Sequence, residues 1–443
     1  MVNLAIQGHT HTMEYYIIIA ASVIIILSYF FNWVSRKSSF PSVLLLILLG
    51  IVLHQSVGLF GYEHANVLAL FEEIRLLEVL GTLGLIMIVL EAALDLKLER
   101  GKVSLIFKAF MSAITVLIAT AFISGYLIMA FIPQLSFVEA LIFSTPLSIL
   151  SSAIVIPSVE NLEEEQREFH VYDSTFSDIL GIMMFYFLLQ LVETSNNAIA
   201  VGDFTVSLFL TIALSVGLSY VLLYLFQKLE AKVKLFLMIA VLILLFGIGK
   251  LMHMSSLIII LIFGLILSNH RIFFSGKFNN LINKEATDRI YEAFHLITME
   301  SAFVIRTFFF VIFGFTVMIS SLFDTKVAAI SGLILVSIYA IRVLLLKLVL
   351  KKDIVLATFI APRGLITLLL FYSIPQEIQT PFFSQGIILY IIIVTSLLMT
   401  VGLVRFSKRK KETEEIIPND NMDQPEDQED TINKDSEKDS VLN

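Results

Sequence analysis

Long apolar runs separated by short polar segments make up most of the chain. About thirteen such runs are legible, most close to the 20 residues that cross a bilayer core as a helix. They cover 13–34, 41–59, 78–96, 104–132, 136–158, 171–193, 203–227, 235–252, 255–269, 299–320, 327–350, 354–373 and 383–405. Helices are favoured because they satisfy their own backbone polar groups in lipid. The expected class is an all-α polytopic membrane protein with about 13 transmembrane helices. Two joints are indistinct: the second run enters Gly58 and Gly61, and the eighth and ninth meet near His253.

Composition agrees with that class. Of 443 residues, 57% are hydrophobic and only 15% charged, against about 25% charge in a soluble domain. The absence of cysteine removes disulfides, thiolate metal sites and cysteine nucleophiles together. The first dozen residues lack a basic n-region or an Ala-x-Ala cleavage site. The run from Met13 therefore reads as a retained helix rather than a signal peptide.

Basic residues concentrate in alternate short loops, which faces those loops to the cytoplasm. They include Arg36 and Lys37; Lys97, Arg100 and Lys102; Arg167; Lys228, Lys232 and Lys234; and Lys351 and Lys352. Arg75 and Lys326 are the main exceptions on the opposite side. An odd helix count then puts the N-terminus outside and the C-terminus in the cytoplasm. Residues 1–405 read as one membrane domain. Residues 406–443 read as an acidic cytoplasmic tail without apolar periodicity, hence disordered. The formal net charge of -8 owes much to this tail, and no basic domain calls for nucleic acid. The stretch 270–298 is basic and amphipathic and reads as a connector at the cytoplasmic interface.

Ionisable residues inside membrane segments cost about 2.5–3.5 kcal/mol each on insertion and default to function. The deep ones are Glu91, Asp173, Asp178, Arg306, Arg342 and Arg363, with Asp95 and Lys347 nearer helix ends. Ser174 and Asp178 are four apart and share a helix face. Asp173 lies about 140° round from Asp178, so the two carboxylates can have different partners. The deepest available arginine, Arg342, is the expected partner of Asp173. The alternative is that Asp173 sits in water near the cytoplasmic end. Asp178 is left without a permanent counter-ion, either to trade its proton for a small cation or to serve as a neutral tether. Arg306 either reaches the cytoplasmic surface or serves packing or a pH response beside His295 and Glu300.

Two runs look broken. "LIFSTPLSILSSAIVIPS" carries Pro146 in its middle, and "TFIAPRGLITLLLF" carries Pro362, Arg363 and Gly364 together. Proline removes a backbone donor, and irregular backbone survives at membrane depth only in protein or along a cavity. Breaks at matching places in two halves point to a transport site between inverted repeats. Here the offset is seven helices, and an odd offset inverts the repeat. Arg363 is expected to neutralise half-helix carbonyl ends.

These residues resemble the monovalent cation:proton antiporter superfamily, nearest its sodium/proton exchanger (NhaP-like) branch. "DSTFSD" stands where that family has Glu-Ser-x-x-Asn-Asp, "LEAALDL" matches its "FEGGL"-like sequences and "YAIRVLL" its "IAR" context. "APRGLI" matches its Arg-Gly, and "RTFFFVIFG" its phenylalanine-rich helix. The resemblance implies an inverted-repeat antiporter fold with two broken, crossing helices. It also implies a cation site of Asp178, Ser174, Glu91 and Thr145, with Asp178 the principal metal ligand. Asp173, Arg342, Ser177, Arg363, Pro146 and Gly364 would support it. Two positions depart from the pattern: "STPLS" lacks the aspartate of the family's Thr-Asp-Pro, and Ser177 replaces the usual Asn.

The implied activity is exchange of Na⁺ for H⁺ by alternating access at Asp178, one-for-one and electroneutral. K⁺/H⁺ exchange is the close alternative, and Li⁺ a further possible substrate. A homodimer in the cell membrane is expected, with no cofactor. A channel lacks a filter-like loop. An intramembrane enzyme lacks a His-Glu-x-x-His run, and a non-transporting sensor remains a third alternative.

Overall fold

A computed structural model describes residues 2–38, 40–57, 76–193, 197–228, 234–252, 256–274, 283–317, 324–349, 354–380, 383 and 385–416. Among these, the secondary structure is helical throughout. In chain order the helices are α1 (Val2–Ser38), α2 (Ser42–Val57), α3 (Leu76–Asp95), α4 (Val103–Phe131), α5 (Phe137–Ser148), α6 (Ser152–Ser158), α7 (Glu164–Glu193) and α8 (Asn197–Lys228). They continue as α9 (Lys234–Leu251), α10 (Ser256–Ser268), α11 (His270–Phe273), α12 (Lys284–Thr316), α13 (Thr325–Val349), α14 (Ile354–Phe359), α15 (Leu365–Tyr372) and α16 (Gln385–Ile416).

Each apolar run corresponds to a helix or a broken helix pair, and among the described residues 8 helices are long and apolar enough to cross a membrane by length and composition. Local chemistry sets several boundaries. Ser136 opens α5 with a capping box: its hydroxyl accepts from Glu139 N at 3.3 Å while the Glu139 carboxylate accepts from Ser136 N at 2.7 Å. Asn283 caps α12 by accepting from Ala286 N. At the Lys102 turn, the Glu168 and Glu99 carboxylates hold the Lys102 ammonium above the usual lysine range.

The connector expected over 270–298 is structured differently. From Lys284 onward it is the first half of α12, a single helix of 33 residues that runs on into the membrane segment. Gly314 is the only glycine or proline in that helix, so nothing in the chain breaks it where the span was expected to begin. Its amphipathic face buries Ile290, Tyr291, Phe294 and Thr298. The end of the second span at Gly58 and Gly61, the joint at His253 and the tail beyond 416 lie outside the described residues.

Within the compact unit Met1–Leu403, two packing groups are apparent. In one, α4 packs against α5, α7 and α13. In the other, α12 packs on α2 and α3, while α10 packs on α3, α8 and α9. The half-helix α15 touches α3, α5 and α7, and so lies where the groups meet.

The α2–α12 contact is backbone on backbone. A Cβ on Gly50 would lie 2.1 Å from Val311 O, and one on Gly314 would lie 2.2 Å from Ile47 O. Small residues let membrane helices approach this closely, because dispersion rather than water exclusion drives their packing. Gly50→Leu and Gly314→Leu should each destabilise the protein by about 1–3 kcal/mol, measured as a lower melting temperature in detergent. Gly332, with nothing within 4 Å of its would-be Cβ, is the control: Gly332→Leu should melt like the parent.

Candidate ion-translocation site

Two interrupted helices cross at the centre of the bundle. The first stops at Ser148 and restarts at Ser152; the second stops at Phe359 and restarts at Leu365. Pro146 and Pro362 each withhold a backbone donor near the interruption. The breaks bond to each other: Ser151 N donates to Pro362 O at 3.0 Å, and Thr367 Oγ1 donates to Pro146 O at 2.9 Å. Gly364 makes the approach possible, since a Cβ there would lie 2.4 Å from Ser151 Oγ.

The crossing leaves four helix ends without continuing partners, and side chains meet each of the first three. Arg363 Nε donates to Leu147 O at 2.6 Å, in the last turn of α5, and Nη1 to Ala361 O at 2.9 Å. Arg342 Nε donates to Ala357 O at 2.9 Å, in the last turn of α14. Each guanidinium thus sits where a helix dipole is negative. At the opposite pole, Ser152 N, the first residue of α6, donates to Asp178 Oδ2 at 3.1 Å. Leu150 N donates to Ser177 Oγ at 2.9 Å.

The two aspartates of α7 therefore have separate company. Asp173 Oδ2 accepts from Arg342 Nη2 at 3.1 Å, with both side chains at most 2% exposed. Asp178 is 1% exposed, and its Oδ1 has no hydrogen-bond partner among the described residues. Ser174 and Thr145 are buried, and their hydroxyls donate into their own helices, to His170 O at 2.8 Å and Leu141 O at 2.7 Å. A hydroxyl that donates in this way keeps its oxygen lone pairs. Neither makes a hydrogen bond to Asp178.

A cavity of about 670 Å³ reaches this crossing. Its walls include Trp33, Glu91, Asp95, Ser152, Glu160 and Arg306. Asp178 lies behind Ser152, one N–H away from the wall. Glu91 pairs with Arg306 across the cavity at 3.3 Å, so Arg306 has a partner that neither sequence alternative named. His295 Nε2 meets Asp95 Oδ1 at 2.7 Å, and Tyr29 donates to Glu300 at 2.7 Å. Glu91 and Asp95 are one turn apart on α3, and His295 and Arg306 are eleven apart on α12, about three turns; the first pair faces the second.

Comparison with known proteins fits this architecture. Residues 20–408 match the family described as sodium/hydrogen exchanger, transmembrane. The chain belongs to the sodium/hydrogen exchanger family. The exchanger is also similar to the solved structure of the sodium proton antiporter MjNhaP1 from Methanocaldococcus jannaschii at pH 8. That likeness has a TM-score of 0.63 at 18% identity, over 87% of this chain and 95% of that one. An electron-microscopy structure of the same antiporter aligns with TM-score 0.61 and 18% identity, over 89% and 96%. Comparison with curated protein sequences finds no match. The exchanger is thus a multi-pass membrane protein of a cation/proton antiport family, with the antiporter fold.

The buried ion pair of this exchanger makes a stability prediction. Asp173→Ala and Arg342→Ala should each cost about 3–5 kcal/mol, because each leaves one buried charge unpaired. The double variant should lose less than the sum by about 0.5–3 kcal/mol. Melting temperatures of the four proteins in detergent check both statements.

Proposed function

We propose that this exchanger trades Na⁺ for H⁺ at Asp178, with proton and cation competing for one carboxylate. The observation that carries the reading is the placement of Asp178. It is buried at the crossing, with one oxygen held by Ser152 N and the other unbonded among the described residues, behind a cavity wall. A carboxylate so placed gains from either a proton or a hard cation and cannot hold both. Ser174 and Thr145 supply neutral oxygens for the cation, and Glu91, paired with Arg306 on the cavity wall, acts on it through its charge. Asp173 stays engaged with Arg342 and does not titrate in the cycle.

The cavity is lined by the ends of α1 and α3, the start of α2, α6, the start of α7 and the middle of α12; Arg36 and Lys37 stand at the end of α1, and Lys97, Arg100 and Lys102 follow α3. By the charge bias of those loops, the N-terminus lies outside, and the cavity opens to the cytoplasm of a cell membrane. Exchange proceeds as the group containing α4, α5, α7 and α13 rocks against the group containing α2, α3 and α12, around a midplane site. Only the loaded carboxylate crosses. With Ser177 neutral, a single free carboxylate makes the exchange one-for-one and electroneutral. K⁺ remains the alternative substrate, since carboxylate and hydroxyl oxygens suit both ions. Assembly as a homodimer, and a cytoplasmic acidic tail from about 406, complete the reading.

Purified protein in proteoliposomes loaded with a pH dye tests the central claim. Na⁺ should collapse an imposed proton gradient, and Asp178→Asn should abolish that response; full exchange by the variant overturns the assignment. Parallel additions of Li⁺ and K⁺ rank the substrates. On a solid-supported membrane the exchanger should generate no sustained current, and a clear Na⁺-dependent current would reject one-for-one stoichiometry.

A further inference from the structure

We infer that Arg306 is a tethered counter-cation that sets how tightly the exchanger holds its transported cation, acting through Glu91 and without touching the ion. The inference rests on Asp178 as the exchanging carboxylate. Glu91 and Arg306 meet at 3.3 Å on the cavity wall, beside the Ser152 whose N–H holds Asp178. Arg306 brings a charge that cannot be lost by deprotonation on a side chain that cannot diffuse away. While it pairs with Glu91, the two present nearly zero net charge to the site. Without it, the Glu91 carboxylate would stand as a net negative charge on the wall beside Ser152, whose N–H holds Asp178, and such a charge favours a cation there.

The other charged groups on these walls do not take over this part. Asp95 and His295 hold each other at 2.7 Å, and Glu300 accepts from Tyr29 at 2.7 Å. Glu160 and Arg167 also line the cavity, near the loop between α6 and α7. The balance at Glu91 therefore turns on Arg306. Both members of the pair belong to the group containing α3 and α12, whereas Asp178 rides on α7. The pair accordingly acts on the site in the cavity-open arrangement described here.

The test is Na⁺ titration of exchange in proteoliposomes at one alkaline pH, where few protons compete for Asp178, with five proteins. Arg306→Gln should lower the KM for Na⁺ by roughly three- to tenfold, and Arg306→Lys should stay near the parent. Glu91→Gln, which leaves the arginine unopposed, should raise KM by a similar factor. The neutral double variant Glu91→Gln/Arg306→Gln should bring KM back to within about twofold of the parent. A role in packing alone would not produce this reciprocal pattern. Protection of the melting temperature by Na⁺ ranks the same variants by dissociation constant without transport, and Glu91→Gln tests the charge in the opposite direction should Arg306→Gln not fold. Unchanged midpoints in both single variants overturn the inference. So does a double variant as weak as Glu91→Gln, which would make Glu91 a direct ligand. If Na⁺ still protects Asp178→Asn, the reading of Asp178 falls instead, and the Arg306 shift can still be read.

Discussion

The organisation of the membrane domain follows from one requirement: every backbone polar group at mid-membrane needs a partner inside the protein. Two helices that stop and restart at that depth break the rule at four ends, and the crossing is how the chain repairs it. The breaks share a hydrogen bond from Ser151 N to Pro362 O. Arg363 and Arg342 reach the carbonyl ends at Leu147 and Ala357. Ser177 and Asp178 take the amides of Leu150 and Ser152. Four side chains from three different helices or breaks are thereby committed before any ion is considered.

The chemistry of the site comes from how evenly that repair is made. Arg342 serves two masters, the Ala357 carbonyl and the Asp173 carboxylate. Asp178 serves one, with Oδ2 on an amide and Oδ1 left over. The same structural duty that fixes Asp178 in place thus leaves it with unused capacity. A buried oxygen in that condition is costly, and an incoming cation or proton relieves the cost.

Most of the fold was legible because its signals are local. Apolar runs, Pro146 and the Pro362–Gly364 cluster each announce themselves within a few residues, so the spans and the two interruptions could be placed without tertiary knowledge. Asp173 and Arg342 could be matched because few buried charges were on offer. What stayed hidden was rotational phase between distant helices. Glu91 and Arg306 are 215 positions apart, and nothing local says that their faces oppose. The hydroxyls of Ser174 and Thr145 illustrate the same limit: the resemblance implied them as ligands, and the rotamer that returns each proton to its own helix is a matter of packing. The long α12 was missed for a different reason. Its amphipathic half is polar enough to read as an interface segment, yet helix propensity carries it straight into the apolar half.

The Arg363–Leu147 hydrogen bond spans 216 residues, and this separation has a consequence for how the protein is made. At about 5–20 residues per second of synthesis, roughly 10–40 s separate the two partners. Throughout that interval α5 is complete while the group that quiets its carbonyl end does not yet exist. The centre of the molecule is therefore the last part to be finished, and the first interrupted helix must be sheltered by water, lipid headgroups or the insertion machinery until its complement arrives. A chain truncated before Arg363 would contain the whole of the first break's own sequence and still lack the side chain that meets its carbonyl end.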